Sequence, residues 1–326
     1  MRVLSGIQPS GRLHIGNYFG AMRQHMRLQN EGNQCLYFIA NYHALTSVST
    51  GEQLRDYTLE VARGYLAVGL DPDKSIFFRQ SDVPEVTELT WILSCLTPMG
   101  LLQRCVSYKD KIAQGLSPNH GLFAYPVLQA ADILIYNSHL VPVGQDQKQH
   151  LEVTRDLALR FNNAYGEILT VPEAHILAET AVVPGLDGRK MSKSYDNTLE
   201  LVEPANKTKK KIMRIVTDST PVDDPKDPDK CIVFALLNLV ADDQERQYWR
   251  DRYLKGHMGY GEAKKRAAEL TNELLDPFRQ RYQQMENDPD YVEDVLRQGG
   301  KKAREIAQNV MEKVRSATGI VTSYNH

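Results

Sequence analysis

Along the first half of the chain, apolar positions follow two different spacings. Short runs rich in aliphatic and aromatic residues stand at 2–6 ("RVLSG"), 35–45 ("CLYFIANYHAL"), 75–81 ("SIFFRQS") and 139–144 ("HLVPVG"), and each has the length of a buried strand. Between them, residues 17–29, 52–69, a mainly helical stretch ending at Asn137, and 146–162 carry helical spacing. Gly69 stands where the second of these helices should close. Strands and helices in alternation predict an α/β fold: a Rossmann-like, doubly wound parallel sheet with helices on both faces. Ligands on such a sheet sit beyond the carboxyl ends of its strands, at glycine-bearing turns.

The pattern changes near residue 195. Residues 203–230 are polar and charged, with turn formers at their end, and the chain beyond residue 230 is almost wholly helical in pattern. In residues 301–319, Ala303, Ile306, Ala307, Val310, Met311, Val314 and Ala317 fall on one helical stripe, and Gly319 stands at a C-cap position. The expected organisation is a sheet domain over 1–195 and a smaller all-helical domain over 196–295. A C-terminal helix over 296–326 then packs back toward the first domain.

Composition narrows the classes. The chain has 326 residues, 42% hydrophobic and 25% charged, which is ordinary for a globular protein with a sizeable core. A formal net charge of -2 means that any nucleic-acid contact comes from a local patch, such as "KTKKKIMR" at 207–214. The segment "ERQYWRDRY" at 245–253 mixes aromatics with arginines and is read either as a base-stacking surface or as helix packing. Cys35, Cys95, Cys105 and Cys231 form no CxxC pair and no zinc spacing, so they are read as buried thiols. The N-terminus carries no long apolar run, and the longest one, 231–241, is roughly half of a membrane span. A cytoplasmic protein without membrane contact is expected.

The candidate chemistry starts at "SGIQPSGRLHIGN", residues 5–17. A strand entering a turn with Gly6, Gly11 and Gly16 and then a helix offers backbone N–H groups and a helix N-terminus to an anion such as phosphate. His14 and Asn17 lie three residues apart, on one helical face. Far along the chain, "GLDGRKMSKS" places Lys190 and Lys193 in a glycine-bearing loop beside Ser192 and Ser194. Two ammonium groups on such a loop can close over a triphosphate and neutralise the charge that grows as a P–O bond breaks. A third feature is a polar line on an apolar helix, Tyr125, Gln129 and Asp132 at i, i+4 and i+7. A buried carboxylate there needs a partner, and an indole N–H, which only donates, suits it.

"PSGRLHIGN" and "KMSKS" resemble the two signatures of class I aminoacyl-tRNA synthetases, with HIGN standing for HIGH. With "YPVLQAADIL" and "PVGQDQKQH", the chain resembles the bacterial tryptophanyl-tRNA synthetases from end to end. The resemblance implies activation of L-tryptophan by ATP with Mg2+, transfer to tRNA(Trp), and a homodimer. It implies that Gln8, Pro9, Ser10, Gly16 and Asn17 hold ATP at the first turn and that His14 meets the phosphates. Gly144, Gln145 and Asp146 cradle ribose and adenosine, and Val183 offers backbone contact to adenine. Lys190 and Lys193, in a loop with Met191, Ser192 and Ser194, meet the departing pyrophosphate. Asp132, Tyr125, Gln129, His43, Val141 and Val143 line the amino-acid pocket.

Some relatives bind an iron–sulfur cluster through four cysteines in the helical domain. Only Cys231 falls in that half here, so no cluster is expected. No protein metal ligand is assigned. Tyrosyl-tRNA synthetases also resemble the YxxxQxxD spacing. They usually carry a Tyr before the first glycine turn, where this chain has Leu4. A tyrosyl enzyme, a small-molecule nucleotidyltransferase, and a non-catalytic paralogue that binds tryptophan or RNA stand as alternatives.

Overall fold

The computed structural model describes residues 1–105, 119–144, 147–176 and 183–320, with the backbone alone at Val143 and at 174–176. Its sheet has five strands: β1 (Arg2–Ile7), β2 (Gln34–Ile39), β3 (Ser75–Arg79), β4 (Leu140–Val143) and β5 (Glu173–Ile176). Their order is β3-β2-β1-β4-β5, and each neighbouring pair is parallel. The order reverses between β1 and β4. The switch point, where a crevice opens at the strand ends, therefore falls at the turns after residues 7 and 143.

Around the sheet run α1 (Ile15–Asn17), α2 (Arg23–Asn30), α3 (Asn41–Ala44), α4 (Gly51–Val68), α5 (Glu85–Leu96), α6 (Met99–Gln103), α7 (His120–Leu134) and α8 (Lys148–Tyr165). The remainder is helical: α9 (Ala205–Met213), α10 (Ile232–Val240), α11 (Asp243–Lys255), α12 (Tyr260–Glu286) and α13 (Pro289–Thr318). Caps fix the ends. Thr50 accepts the Gln53 N–H at the start of α4, and Gly69 closes it at φ 110°, in the left-handed region where a side chain is strained.

The two-residue period of the strands sorts the core. Val3, Cys35, Tyr37, Ile39 and Phe77 join an apolar cluster on one face with α4 and α10 to α12. Leu4, Leu36, Phe38 and Phe78 join a cluster on the other face with α5, α7 and α8. Residues of α10 to α12 share the first cluster with β1, β2 and β3, so no break in packing separates the helical region from the sheet.

Helix α13 departs from the expected boundary at 295/296 and runs unbroken from Pro289. Its Val292, Val295 and Leu296 belong to the first cluster, and Ala303, Ala307, Val310, Met311 and Val314 to the second. It therefore crosses edge strand β3. A Cβ on Gly299 would lie 1.8 Å from the Phe77 carbonyl oxygen, so the crossing demands glycine there. Of the expected stripe, Ile306 and Ala317 are only partly buried. Ion pairs Arg79–Glu293, Arg304–Glu85 and Arg315–Glu88 flank the crossing, with Glu85 itself buried. Each buried large apolar side chain contributes about 1.5–3 kcal/mol, so the two apolar stretches of the helix hold it against both faces of the sheet.

Three elements differ from expectation. The second strand stops at Ile39, and residues 41–44 turn into α3 because the Tyr42 N–H finds the Gln80 side-chain oxygen at 2.9 Å. Strand β5 has no counterpart among the expected elements. The first helix starts at Ile15 rather than 17 and passes through a π-helical segment, Tyr18–Met22, before α2. Of the cysteines, Cys35 and Cys105 are buried, whereas Cys95 is exposed and Cys231 half-buried.

Candidate active site

The first turn begins where β1 ends. Gly6 is required because a Cβ would lie 2.5 Å from the Phe38 ring, and Gly11 because its φ is +96°. Gln8 donates to the Ser47 hydroxyl at 3.1 Å. Two backbone amides expected to face a ligand are instead used within the protein. The His14 N–H donates to the Asn17 side-chain oxygen at 3.0 Å, and the Ile15 N–H to Leu199 O at 2.9 Å. Asn17 of HIGN is thus a capping residue. The Leu201 N–H donates to Leu13 O at 2.9 Å, so residues 199–201 lie antiparallel along 13–15, with Arg12 and Glu200 paired at 3.1 Å.

That pairing brings the lysine loop onto the turn. The Met191 N–H donates to Val183 O at 2.9 Å, and the Gly185 N–H to Arg189 O at 2.6 Å, closing a small loop over 183–191. Met191 is buried, with its Cβ 3.5 Å from where a Cβ on Gly16 would stand. The Lys193 ammonium donates to Ser10 O at 2.9 Å and to Ser10 Oγ at 3.1 Å. Residues 183 positions apart in sequence therefore touch. Ser192 and Ser194 bond each other through their hydroxyls at 2.9 Å. Lys190 is exposed, and among the described residues no hydrogen bond or ion pair ties its ammonium to the turn. Of the Val183 backbone, expected to contact adenine, the carbonyl accepts the Met191 N–H.

His14 is 7% exposed, and its Nδ1 has no hydrogen-bond partner among the described residues. Burial, and then the Lys193 charge, lower its pKa to about 4, so the ring is neutral near pH 7. Burial also lowers the Lys193 pKa, opposed by Glu60 and Glu200. A neutral ring with an unused nitrogen beside a partly buried ammonium suits an anion arriving from solvent.

The second group lies at the ends of β2 and β3. Asp132, 1% exposed, accepts from Gln80 Nε2 at 2.8 and 2.9 Å and bonds His43 Nε2 at 2.9 Å. Burial raises the Asp132 pKa, and the His43 and Gln80 contacts draw it back. Gln80 is fixed in turn by the Tyr42 N–H. The polar line on α7 divides. Tyr125 bonds His150 at 2.5 Å and Gln129 meets Gln147 at 3.4 Å, both toward α8, while Asp132 turns to His43 and Gln80. The Tyr125 and His43 rings, 6.2 Å apart and edge to face, join the two halves. Val141 is buried beside Leu4 in the core. Gly144 accepts the Gln147 N–H at 3.0 Å, whereas Gln145, Asp146 and the Val143 side chain lie outside the described residues. A cavity of about 590 Å³ is bounded by His43 and Tyr125 together with Trp91, Met99 and Phe123, and Asp132 is not on its wall.

Four contributors escape a reading of the sequence. Gln80 and His150 sit in unremarkable strand-end and helix positions, Glu200 reads as a surface acid, and Asn197 reads as a turn residue. His150 is the last residue of "PVGQDQKQH", and nothing there marks it as the partner of Tyr125.

Residues 1–276 match the family model described as tRNA synthetases class I (W and Y). The chain is 53% identical over 326 residues to the tryptophan--tRNA ligase of Fusobacterium nucleatum, covering 98% of each. It is 51% identical to the tryptophanyl-tRNA synthetase of Campylobacter jejuni crystallised with ADP and tryptophan, covering 98% of this chain and 100% of that one, with a TM-score of 0.92. The Mycoplasma pneumoniae tryptophanyl-tRNA synthetase structure superposes with a TM-score of 0.81 at 31% identity over 98% of each chain. With the paired signatures and the sheet order already in place, the chain belongs to the class I aminoacyl-tRNA synthetases, among the tryptophan--tRNA ligases.

Proposed function

We propose that the two clusters above act together in a two-step reaction: joining L-tryptophan to AMP, then to tRNA(Trp). The tryptophan carboxylate attacks the α-phosphorus of ATP. A carboxyl C–O–P bond forms, the bond to the β-phosphate breaks, and pyrophosphate leaves. The 3′-terminal adenosine of the tRNA then takes the acyl group and releases AMP. The observation that carries this reading is the seat of Lys193 on Ser10, beside His14.

Little covalent work falls to the protein, so positioning and charge stabilisation dominate. Lys193 exchanges Ser10 for the β- and γ-phosphates, with Lys190 joining from the exposed side of the loop. Neutral His14 hydrogen-bonds phosphate without adding charge. Gln8, Pro9, Ser10, Gly16 and Asn17 form the floor of this site. Gly144, Gln145 and Asp146 hold ribose and adenosine, with Val183, Met191, Ser192 and Ser194 on the loop side. Among the described residues no group of three His, Cys, Asp or Glu side chains could hold a metal ion. Mg2+ would screen the phosphates with few protein ligands, as a hard cation that keeps several waters.

At the other end, Asp132 accepts the indole N–H as a third donor beside Gln80 and His43. Tyr125, Gln129, His43, Val141 and Val143 surround the ring. A site built around an N–H donor leaves its own carboxylate unpaired when the ring lacks one, which rejects such amino acids strongly. The C. jejuni relative, complexed with ADP and tryptophan, supports both ends of this site.

Residues 196–295 read the anticodon, two copies form the working unit, and the enzyme acts in the cytoplasm. Among the described residues no helix is long and apolar enough to cross a membrane. The basic run contributes unevenly, since Lys211 is engaged by Glu203 at 2.7 Å while Lys209 and Lys210 are exposed. In 245–253, Trp249 and Tyr253 are buried and Tyr248 is exposed, which leaves Tyr248 for base stacking.

The test is ATP–pyrophosphate exchange with each of the twenty amino acids, followed by charging of tRNA. Exchange with tryptophan alone and charging of tRNA(Trp) are expected. Exchange with tyrosine instead, or none at all, would overturn the reading.

A further inference from the structure

Asn197 lies outside the KMSKS signature, yet every polar atom of its side chain is used within that loop. It is 2% exposed. Its Oδ1 accepts the Ser192 N–H at 2.8 Å, and its Nδ2 donates to Asp187 Oδ1 at 2.7 Å and to Lys190 O at 3.2 Å. Its backbone carbonyl accepts the Leu186 N–H at 3.0 Å. Gly185 gives it room, since a Cβ there would stand 2.1 Å from Nδ2.

The chain just after Asn197 is the part paired with the HIGN segment, through Leu199 O and the Leu201 N–H. One amide therefore ties two pieces together: residues 187–192, which carry Lys190, and residues 197–201, which are fixed on His14. Lys193 lies between the two pieces. We propose that Asn197 is a positioning residue that sets the reach of Lys193 onto the Ser10–His14 turn, and with it the rate of adenylate formation. The inference rests on the adenylation reading above.

The chemistry requires asparagine. The side chain must accept from one N–H and donate to a carboxylate and a carbonyl, all while buried. Aspartate has no donor for either acceptor and would put a second negative charge on Asp187. Leucine would leave the Ser192 N–H and the Lys190 carbonyl without that partner. Glutamine would carry its amide one methylene too far for the pocket beside Gly185. Among the described contacts none joins Asn197 to Asp132, Gln80 or His43, so tryptophan binding stands apart from it.

The experiment measures tryptophan-dependent pyrophosphate exchange and equilibrium tryptophan binding on the full chain, with thermal midpoints recorded. Asn197→Ala is expected to lower the exchange kcat about ten- to a hundredfold, the range for losing buried hydrogen bonds. Its tryptophan Kd should stay within about twofold of the parent. Lys193→Ala should cost several-fold less in the Asn197→Ala background than in the parent, because the lysine has already lost its position.

Additive effects of the two substitutions, or a proportional rise in tryptophan Kd, would reduce Asn197 to a general structural residue and overturn the proposal. If Asn197→Ala proves too unstable to assay, Asn197→Asp carries the test alone and then with Asp187→Asn, which restores an amide–carboxylate pair with the roles reversed. Partial recovery of kcat in the double variant supports positioning, and no recovery refutes it. Silence of the parent enzyme with tryptophan would refute the adenylation reading itself, and an active parent with unaffected variants only the role of Asn197.

Discussion

The two ends of the site are built on opposite principles. At the end proposed for the nucleotide, a glycine-bearing turn faces a partly exposed ammonium, and Lys193 rests on Ser10. At the amino-acid end, a fully buried carboxylate is held by Gln80 and His43 from two different strand ends. Phosphate is strongly charged and common to many substrates, so a movable set of donors meets it adequately. An indole carries an N–H donor that a phenyl ring lacks, and a fixed, desolvated acceptor turns that into discrimination. In the proposed reading the first end supplies rate, and the second supplies choice.

That contrast can be broken at either end. Lys193→Ala is expected to slow pyrophosphate exchange by more than about a hundredfold, since losing one such charge contact costs roughly 3–4 kcal/mol in the transition state. Its tryptophan KM should barely move, and steady-state exchange kinetics separate the two parameters.

Acid tests the buried histidines. Burial lowers the pKa of His14 and of His25 to about 4, so both stay neutral in the folded protein at pH values where the unfolded chain binds protons. The stability they confer is complete above about pH 6.5 and is lost as pH falls from there through about 4, on the order of a few kcal/mol in total. Urea midpoints across that window should fall, and His14→Gln should flatten part of the slope. Saturating ATP should do the same if phosphate seats on the ring.

Gln80→Leu removes the donor to both Asp132 oxygens and should raise the tryptophan KM about tenfold while leaving the ATP KM in place. Equal changes in both constants would mean that the two ends are not separable. The smallest effect is expected at Arg12→Ala. The Arg12 side chain is 66% exposed in its pair with Glu200, and such a pair is worth at most about 1 kcal/mol, so exchange should change less than about threefold.

The same contrast explains what the sequence discloses. Phosphate-directed elements are local, because a glycine turn and a lysine loop each do their work within about ten residues, and both are legible. So are the strands whose apolar runs are continuous and the caps at Gly69 and Gly319. The Asp132 cluster joins residues 43, 80 and 132 through tertiary packing, and nothing near Gln80 marks it as the partner of a carboxylate. Helical spacing places Tyr125, Gln129 and Asp132 on one face, yet their partners divide between two elements that the spacing cannot see. Spacing shows the stripe over 301–319 but not that α13 already begins at Pro289, because the crossing at Gly299 over Phe77 is a tertiary contact. Strand β5 is four residues long and carries Glu173 and His175, too short and too polar for its pattern to stand out.

Underlying all of this is a single spatial proposition: residues near the start of the chain and residues past its middle hold one triphosphate between them. A crystal structure with ATP and tryptophanamide, which lacks the attacking carboxylate, examines it directly. The ammonium of Lys193 should have left Ser10, and both it and the His14 ring should lie within hydrogen-bond distance of the same phosphate chain. Bound ATP with Lys193 still on Ser10, or turned out to solvent, would contradict it.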